Sequence, residues 1–118
     1  MKLTHAFTFE AAHRLPNVQQ THRCYRMHGH SYRVAVEIDG AVDPVSGFVA
    51  DFFDVETVVN PMLAQLDHYC LNEIEGLQNP TAENIAIWIW DRLKASLPQL
   101  ARIVVYETPQ CWVEYDGH

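Results

Sequence analysis

The chain has few of the features of secreted, membrane-bound or nucleic-acid-binding proteins. Its 118 residues include only three cysteines and no CxxC pair, so reduced thiols fit better than a disulfide framework. No apolar run is long enough to span a membrane, and MKLTHAFTFEAAH lacks the features of a signal peptide. A net charge of −7 argues against binding to nucleic acid or anionic membranes. We therefore expect one soluble, cytoplasmic domain covering residues 1–118.

Acidic residues are missing from one long window. Residues 11–36 contain no Asp or Glu, but they contain Arg14, Arg23, Arg26 and Arg33 and four of the seven histidines. The window carries +4, which leaves −11 for the rest of the chain because the total is −7. Chance variation on a solvated loop would produce such a window, but the histidines within it favour a local site for an anionic ligand.

Repeats, low-complexity tracts and linkers are also missing, and the hydrophobic pattern gives one series of elements. Alternation of apolar and polar residues predicts strands near both ends, and a period near 3.6 predicts two helices between them. The order ββααββ indicates an α+β domain with an antiparallel sheet. The predicted elements are strands at 3–13 and 28–39, an extended stretch at 48–52, helices at 54–66 and 81–98, and strands at 101–108 and 111–115.

Both helices carry local signals. Asp54 is the N-cap candidate of the first helix, and Pro61 should kink or break that helix. Thr81 is the expected N-cap of the second helix, with Glu83 in the first turn, where the helix dipole favours a carboxylate.

Three histidines are expected to converge at one end of the sheet. His28 and His30 point to the same apolar face of their strand, and His13 lies on the apolar face of its own strand. If these strands pair antiparallel, all three imidazoles meet. Unpartnered buried imidazoles are unfavourable, whereas three neutral nitrogens on zinc leave one open position, as in catalytic sites. An HGH triplet alone is more often an ordinary turn than a metal site. With His13 on the same face, the metal site becomes the favoured interpretation.

The other histidines are less suggestive. His22 is a possible fourth ligand, although a solvated loop position is the simpler interpretation. His5 is too far along the strand from His13, and His118 is terminal, so neither is expected in the site.

Cys24 lies four residues before the HGH triplet. Arginines and a nearby metal lower the pKa of a thiol, so Cys24 is a candidate reactive thiolate. The alternative is an inert buried cysteine, which a loop position between Arg23 and Tyr25 disfavours. Cys70 and Cys111 are expected to be small core residues.

Two acidic positions could assist such a site. Asp67 beside His68 can orient or charge the imidazole for acid–base chemistry, although such a pair is more often a solvated turn. Glu107, near the end of a strand, is either a solvated edge residue or a buried anchor that makes paired hydrogen bonds to amidine-like N–H groups of a ligand.

Six segments in this order resemble the 6-pyruvoyl-tetrahydropterin synthase family, and most closely its bacterial 6-carboxytetrahydropterin synthase branch. They cover nearly the whole chain, and the three-residue spacing from Cys24 to HGH resembles the carboxy-forming branch. The segments are FTFEAAHRLP, C-x3-HGHS, VDPVSGFVADF, LDHYCLNEI, NPTAENIAIWIW and YET.

The resemblance implies a role for each matching position. Arg23 and Arg26 are added from their charge alone, as candidates for binding the triphosphate of the substrate. The implied roles are zinc binding by His13, His28 and His30, proton abstraction by Cys24, a relay by Asp67 and His68, anchoring of the pterin by Glu107, and framing of its pocket by Thr81 and Glu83.

The resemblance also implies a fold and a reaction. The fold is the tunnelling fold, a four-stranded antiparallel sheet with two helices on one face, assembled into hexamers of two trimers with active sites between subunits. The reaction converts 7,8-dihydroneopterin triphosphate to 6-carboxytetrahydropterin, acetaldehyde and triphosphate for queuosine and 7-deazaguanine synthesis. The alternatives are a pyruvoyl-forming or side-chain-cleaving relative, a non-catalytic pterin-binding homologue, and a metal-free structural domain.

Overall fold

A four-stranded antiparallel sheet and two helices make up the computed structural model, which describes residues 1–118. The strands lie in the sheet in chain order, β1-β2-β3-β4, and every neighbouring pair is antiparallel, as predicted. The elements are β1 (Lys2–His13), β2 (His28–Asp39), α1 (Phe52–Leu63), α2 (Ala82–Leu93), β3 (Leu100–Thr108) and β4 (Cys111–Tyr115), with 3-10 turns at Arg23–Tyr25 and Leu71–Glu73.

Both helices pack on one face of the sheet, and the apolar core lies between the two layers. Alternate residues of β1 and β2 point into this core, and the buried residues of the helices meet them. Burial of each large apolar side chain contributes about 1.5–3 kcal/mol. The central core residues are Phe9, Tyr32, Val34, Val36, Val59, Ile85, Ile89, Ile103 and Val105. None of the helices has the length and hydrophobicity needed to span a lipid bilayer.

The start of α1 differs from the prediction. Asp51, not Asp54, is the N-cap, because the carboxylate of Asp51 accepts the N–H of Phe53 at 2.9 Å. Asp54 instead lies in the first turn, where the helix dipole favours its charge. The extended stretch predicted at 48–52 is therefore wrong: the segment before Asp51 is irregular, and Phe52 is already helical.

Both helix ends also differ from expectation. The first helix continues through Pro61 and ends at Leu63, so this proline lies in the last turn and does not break the helix. The second helix ends at Leu93, not Pro98, and the segment that follows is a turn in which the N–H groups of both Ser96 and Leu97 bond to the carbonyl of Leu93. Pro98 disfavours helical geometry at Leu97, so the helix could not have resumed before the proline.

The face of the sheet without helices holds a charged network. Glu37 is nearly buried there and accepts bonds from Arg102 Nε at 3.1 Å and Nη2 at 2.7 Å, while Lys2 Nζ lies 3.3 Å from its other oxygen. Burial alone would raise the pKa of Glu37, but the hydrogen bonds and charges of Arg102 and Lys2 outweigh it and hold that pKa below its ordinary value. The carboxylate therefore stabilises the folded chain as an anion.

Glu37→Gln is expected to lower the free energy of unfolding at pH 7 by about 1 kcal/mol. Hydrogen bonds to charged groups often contribute more, but Arg102 is partly exposed and solvent screens its charge. Because the folded pKa is depressed, this contribution is present above the ordinary carboxyl pKa and is lost as the pH falls through the folded value. Urea unfolding of wild type and variant at several pH values measures it. Glu114→Gln, at the exposed end of the same network, should have a smaller effect. If the difference in free energy of unfolding between wild type and Glu37→Gln stayed the same in strong acid, the prediction would be wrong.

Candidate metal centre and active-site cleft

The pairing of β1 and β2 brings the three histidines together. The register aligns His13 with His28 and Ala11 with His30, so the end of β1 meets the start of β2, as the sequence predicted. The ring centroids lie 4.6 Å apart for His13 and His28, 5.1 Å for His13 and His30, and 4.9 Å for His28 and His30. One potential ligand atom from each ring lies within 4.8 Å of the other two, so a single ion could contact all three.

Backbone carbonyls orient two of the three imidazoles. His13 Nδ1 lies 2.8 Å from the carbonyl oxygen of Pro80, and His28 Nδ1 lies 2.7 Å from that of Arg26. A carbonyl oxygen only accepts hydrogen bonds, so each Nδ1 carries the hydrogen and each Nε2 of the neutral rings is left with a free lone pair. This arrangement is typical of metal-ligating histidines.

The third imidazole has a buried nitrogen without a partner. His30 Nε2 is shielded from solvent and makes no hydrogen bond, and an unpaired buried polar atom is costly unless something else binds it. Burial also lowers the pKa of His13 and of His30, which keeps both rings in the neutral form that binds metals. The donor set therefore fits a metal ion.

Tyr32 packs against two of the three rings. Its hydroxyl lies 3.2 Å from His13 Nδ1 and 3.4 Å from His13 Nε2, and its ring contacts those of His13 and His30 edge-on. Burial raises the pKa of Tyr32, so its hydroxyl stays protonated. Tyr32 therefore supports two of the imidazoles as well as filling the core.

A cleft of about 490 Å³ opens beside the histidines, and most of the predicted site residues line it. Cys24 is half-buried in the wall of the cleft. Glu107 brings a carboxylate oxygen to 3.6 Å from His30 Nε2, an acidic neighbour that the sequence did not predict for these histidines. The lining residues include Arg23, Cys24, Arg26, His28, His30 and Glu107.

Glu107 also borders a second cleft, of about 370 Å³, whose lining includes Thr81 and Glu83. Thr81 is the N-cap of α2, as predicted, and its hydroxyl accepts the N–H of Asn84 at 3.2 Å. Glu83 lies in the first helical turn, also as predicted. The carboxylate of Glu107 therefore stands between the metal centre and this second space.

Asp67 and His68 lie away from Cys24. His68 lines a third cleft, of about 480 Å³, which includes His30 but not Cys24, and Asp67 lies beside His68 without lining that cleft. His68 Nδ1 lies 3.0 Å from Asp67, and the hydrogen bonds that Asp67 accepts from the backbone N–H of Glu10 and from the His68 side chain lower the pKa of Asp67. One chain therefore does not bring this pair and Cys24 into a common cleft.

His68 has an uncommon backbone conformation. Its φ of 65° lies in the left-handed region, the only such value outside glycine in the chain. That conformation costs about 1–3 kcal/mol and persists where surrounding contacts impose it. Here the N–H of His68 bonds to the carbonyl of Glu10, and 78% of its side chain is exposed. The fold thus holds an exposed imidazole in a strained position, which an ordinary solvated turn does not require.

The two remaining cysteines differ from expectation. Cys111 is exposed and Cys70 is half-buried, so the prediction that both are small core residues is wrong. Cys111 begins the short edge strand β4 just after a tight turn, where no second layer covers it.

Two polar contacts near the site were not predicted. His22 is exposed in its loop, as the simpler interpretation held, and is not part of the histidine cluster, but its imidazole accepts the N–H of Cys24 at 3.0 Å. The amide of Asn72 brackets the backbone of Arg14, accepting its N–H at 2.9 Å and donating to its carbonyl at 2.8 Å. A histidine two residues before the candidate thiol was a usable signal for the first contact, while nothing local to Asn72 pointed to the second.

Fold and site together define a class: an α+β protein of the tunnelling fold with a cluster of three histidines, able to hold a metal ion, at one end of its sheet. The sequence model of the family described as 6-pyruvoyl tetrahydropterin synthase matches residues 2–118. The chain belongs to this family.

Individual relatives agree with this assignment. A 6-carboxy-5,6,7,8-tetrahydropterin synthase from Synechocystis sp. is 40% identical over 108 residues, which cover 86% of this chain and 82% of the relative. A dihydroneopterin monophosphate aldolase from Pyrococcus furiosus is 32% identical over 118 residues, 98% of this chain and 96% of the relative. The structure of Caenorhabditis elegans 6-pyruvoyl tetrahydropterin synthase superposes with a TM-score of 0.93 at 28% identity, covering 100% of this chain and 96% of that one.

Proposed function

We propose that this enzyme is a zinc-dependent 6-carboxy-5,6,7,8-tetrahydropterin synthase, a carbon–carbon lyase of the cytoplasm. It would convert 7,8-dihydroneopterin triphosphate and water to 6-carboxytetrahydropterin, acetaldehyde and triphosphate, a step toward queuosine and other 7-deazaguanines. The relative from Synechocystis, which bears this name at 40% identity, favours this branch over the pyruvoyl-forming one. The three-residue spacing between Cys24 and His28 supports the same choice.

The observation that carries the proposal is the composition of one cleft. It combines an unpaired metal-facing nitrogen on His30, a half-buried thiol on Cys24 and a carboxylate on Glu107. A lyase acting on a pterin side chain needs an electrophile, a group that moves protons and an anchor for the ring. His30 would help to hold the electrophile, Cys24 would move protons, and Glu107 would anchor the ring.

His13, His28 and His30 would hold the metal, which supplies Lewis-acid polarisation of side-chain oxygens when bound. Cys24 would take a proton from the substrate side chain and return it nearer the ring. Arg23 and Arg26 lie in the same cleft, and their charges suit a triphosphate.

Glu107 would anchor the pterin. An amino-pyrimidine edge presents two parallel N–H donors, and a carboxylate accepts both. The second cleft, which Glu107 shares with Thr81 and Glu83, has room for the rings beside the metal centre. Thr81 and Glu83 would frame that space.

Asp67 and His68 would act from a neighbouring subunit, because in one chain His68 lines a different cleft from Cys24 and Asp67 is paired with His68. Such sharing requires an oligomer, and we propose a hexamer of two trimers. The outer edge of β4, and that of β1 before Glu10, have no strand partner within the chain. Exposed strand edges of this kind favour pairing with another chain.

Product identification tests the proposal. Purified protein is incubated with 7,8-dihydroneopterin triphosphate, the pterin is identified by mass spectrometry, and acetaldehyde is trapped as a hydrazone. We expect 6-carboxytetrahydropterin and acetaldehyde in equal amounts. A product that keeps the three-carbon side chain would indicate the pyruvoyl-forming reaction, and the absence of any product would indicate a pterin-binding homologue. Turnover of the monophosphate but not the triphosphate would indicate an aldolase.

Glu107→Gln tests the anchor. The amide keeps the shape of the side chain, but it replaces one acceptor with a donor that faces the donors of the pterin. We expect KM to rise about 10- to 100-fold, the order expected when a buried polar group loses its partner, with a smaller fall in kcat. Steady-state kinetics on the triphosphate substrate measures both.

The control for Glu107→Gln is Glu114→Gln, which removes the same charge from the opposite face of the sheet. Its KM should stay within about twofold of wild type, because surface substitutions away from a site have small effects. If Glu107→Gln binds and turns over the substrate as wild type does, Glu107 is not the anchor.

A further inference from the structure

The turn that carries Cys24 is a single 3-10 turn, Arg23–Tyr25, with none of its three residues buried. Core packing therefore contributes little to its position, and polar contacts must fix it. On its C-terminal side, Arg14 Nε donates to the carbonyl of Tyr25 at 3.2 Å and its guanidinium lies 4.4 Å from the centre of the tyrosine ring. These contacts hold the end of the turn.

The start of the turn depends on His22. His22 is its N-cap, with an extended backbone, and His22 Nδ1 accepts the N–H of Cys24 at 3.0 Å. The carbonyl of Cys24 accepts the N–H of Leu15 at 2.8 Å. The backbone of Cys24 is thus held at its N–H by the side chain of His22 and at its carbonyl by the backbone of Leu15.

The same turn leads into the metal centre. Two residues after Cys24, the carbonyl of Arg26 accepts the hydrogen of His28 Nδ1 at 2.7 Å. His22 thus fixes the start of the turn, whereas Arg26, its C-cap, orients one of the clustered imidazoles.

We infer that His22 is a positioning residue that holds the thiol of Cys24 toward the cleft shared with His28 and Glu107. The inference rests on the proposed role of Cys24. Because Nδ1 of His22 accepts the Cys24 N–H, the hydrogen of the neutral ring lies on Nε2. His22 acts through the backbone of Cys24, and it is not a member of the histidine metal cluster.

A matched series of variants tests this. His22→Ala removes the acceptor, whereas His22→Asn restores one, since asparagine is a favoured N-cap. Gln20→Ala alters the same loop at an exposed residue that makes no side-chain hydrogen bond. We expect kcat to fall roughly five- to tenfold in His22→Ala, from loss of one cap, with KM within about twofold. His22→Asn should recover most of kcat, and Gln20→Ala should match wild type.

The second measurement is the rate at which iodoacetamide modifies Cys24, followed by peptide mass spectrometry. Free N-acetylcysteine added to each sample serves as the reference thiol. Cys24 is half-buried in a turn that the cap holds in place. We therefore expect iodoacetamide to modify Cys24 about three- to fivefold faster in His22→Ala than in wild type, since a cap contributes on the order of 1 kcal/mol. Zinc content should not change, because His22 lies outside the cluster, and the unfolding temperature should fall by no more than a few degrees, because only one cap is lost.

Two results would overturn the inference. In the first, His22→Ala has the same kcat and the same rate of Cys24 modification as wild type. In the second, His22→Asn behaves like His22→Ala. Loss of zinc in His22→Ala would also count against it, since the effect would then pass through the metal. Failure of the proposed function is seen separately. If Cys24→Ala turns over normally, the role of the thiol is wrong whatever the His22 variants do.

Discussion

Cys24→Ala is expected to lower kcat by about 10²- to 10⁴-fold, the range that a general acid–base contributes. The thiol lies in the cleft beside His28 and Glu107, and the second thiol that lines this cleft, Cys111, comes from β4 and not from the turn of Cys24. KM should change little, because the pterin and the triphosphate bind through other residues. Single-turnover kinetics on the triphosphate substrate separates the chemical step from binding.

Cys24→Ser is the matched variant for this prediction. The hydroxyl has nearly the size of the thiol, but it gives up its proton far less readily than a thiol, whose ordinary pKa is about 8.5. Both variants should therefore lose activity while zinc content and unfolding temperature stay at wild-type values. A Cys24→Ser enzyme with more than a tenth of wild-type kcat would show that the thiol is not the base.

His28→Ala is expected to lower zinc affinity at least about 100-fold, since even outer-shell partners of metal ligands contribute 10- to 100-fold. Activity should fall about 10³-fold, because Lewis-acid stabilisation amounts to several kcal/mol and each 1.36 kcal/mol is tenfold. Elemental analysis of the dialysed protein gives the zinc content per chain. Chelation of the wild type should reproduce the loss and also lower its unfolding temperature.

His5→Ala is the control for the metal centre. His5 lies on β1, pairs with Glu56 at 2.8 Å and stacks on Phe7, so it is a histidine of the same strand without a role at the cluster. It should keep one zinc per chain. If His28→Ala retained stoichiometric zinc and full turnover, the three-histidine centre would not be the site of the chemistry.

Periodicity sufficed for the sheet and the convergence of the histidines, because both depend on which face of a strand a residue occupies. His13, His28 and His30 meet because β1 and β2 pair antiparallel with His13 opposite His28, and a slip by one residue would turn the apolar faces outward. The N-cap of α2 at Thr81 was predictable from local sequence as well, because its hydroxyl accepts the N–H of a residue only three positions away.

Long-range contacts explain what the sequence did not reveal. Asp51 and Asp54 are equally good caps by composition, and only the path of the preceding chain decides between them. The carbonyl of Pro80 that orients His13, and the carboxylate of Glu107 beside His30, come from distant segments. The strain at His68 is likewise imposed by β1, through Glu10.

The clustered histidines flank a 14-residue connection, residues 14–27, that leaves β1 at His13 and returns at His28. Because strand pairing already closes this hairpin, lengthening the connection is inexpensive: each doubling of a loop costs only about 0.6 kcal/mol in closure entropy. Insertions there would move the thiol while leaving the three imidazoles in place. The position of the thiol can therefore change independently of the histidine cluster.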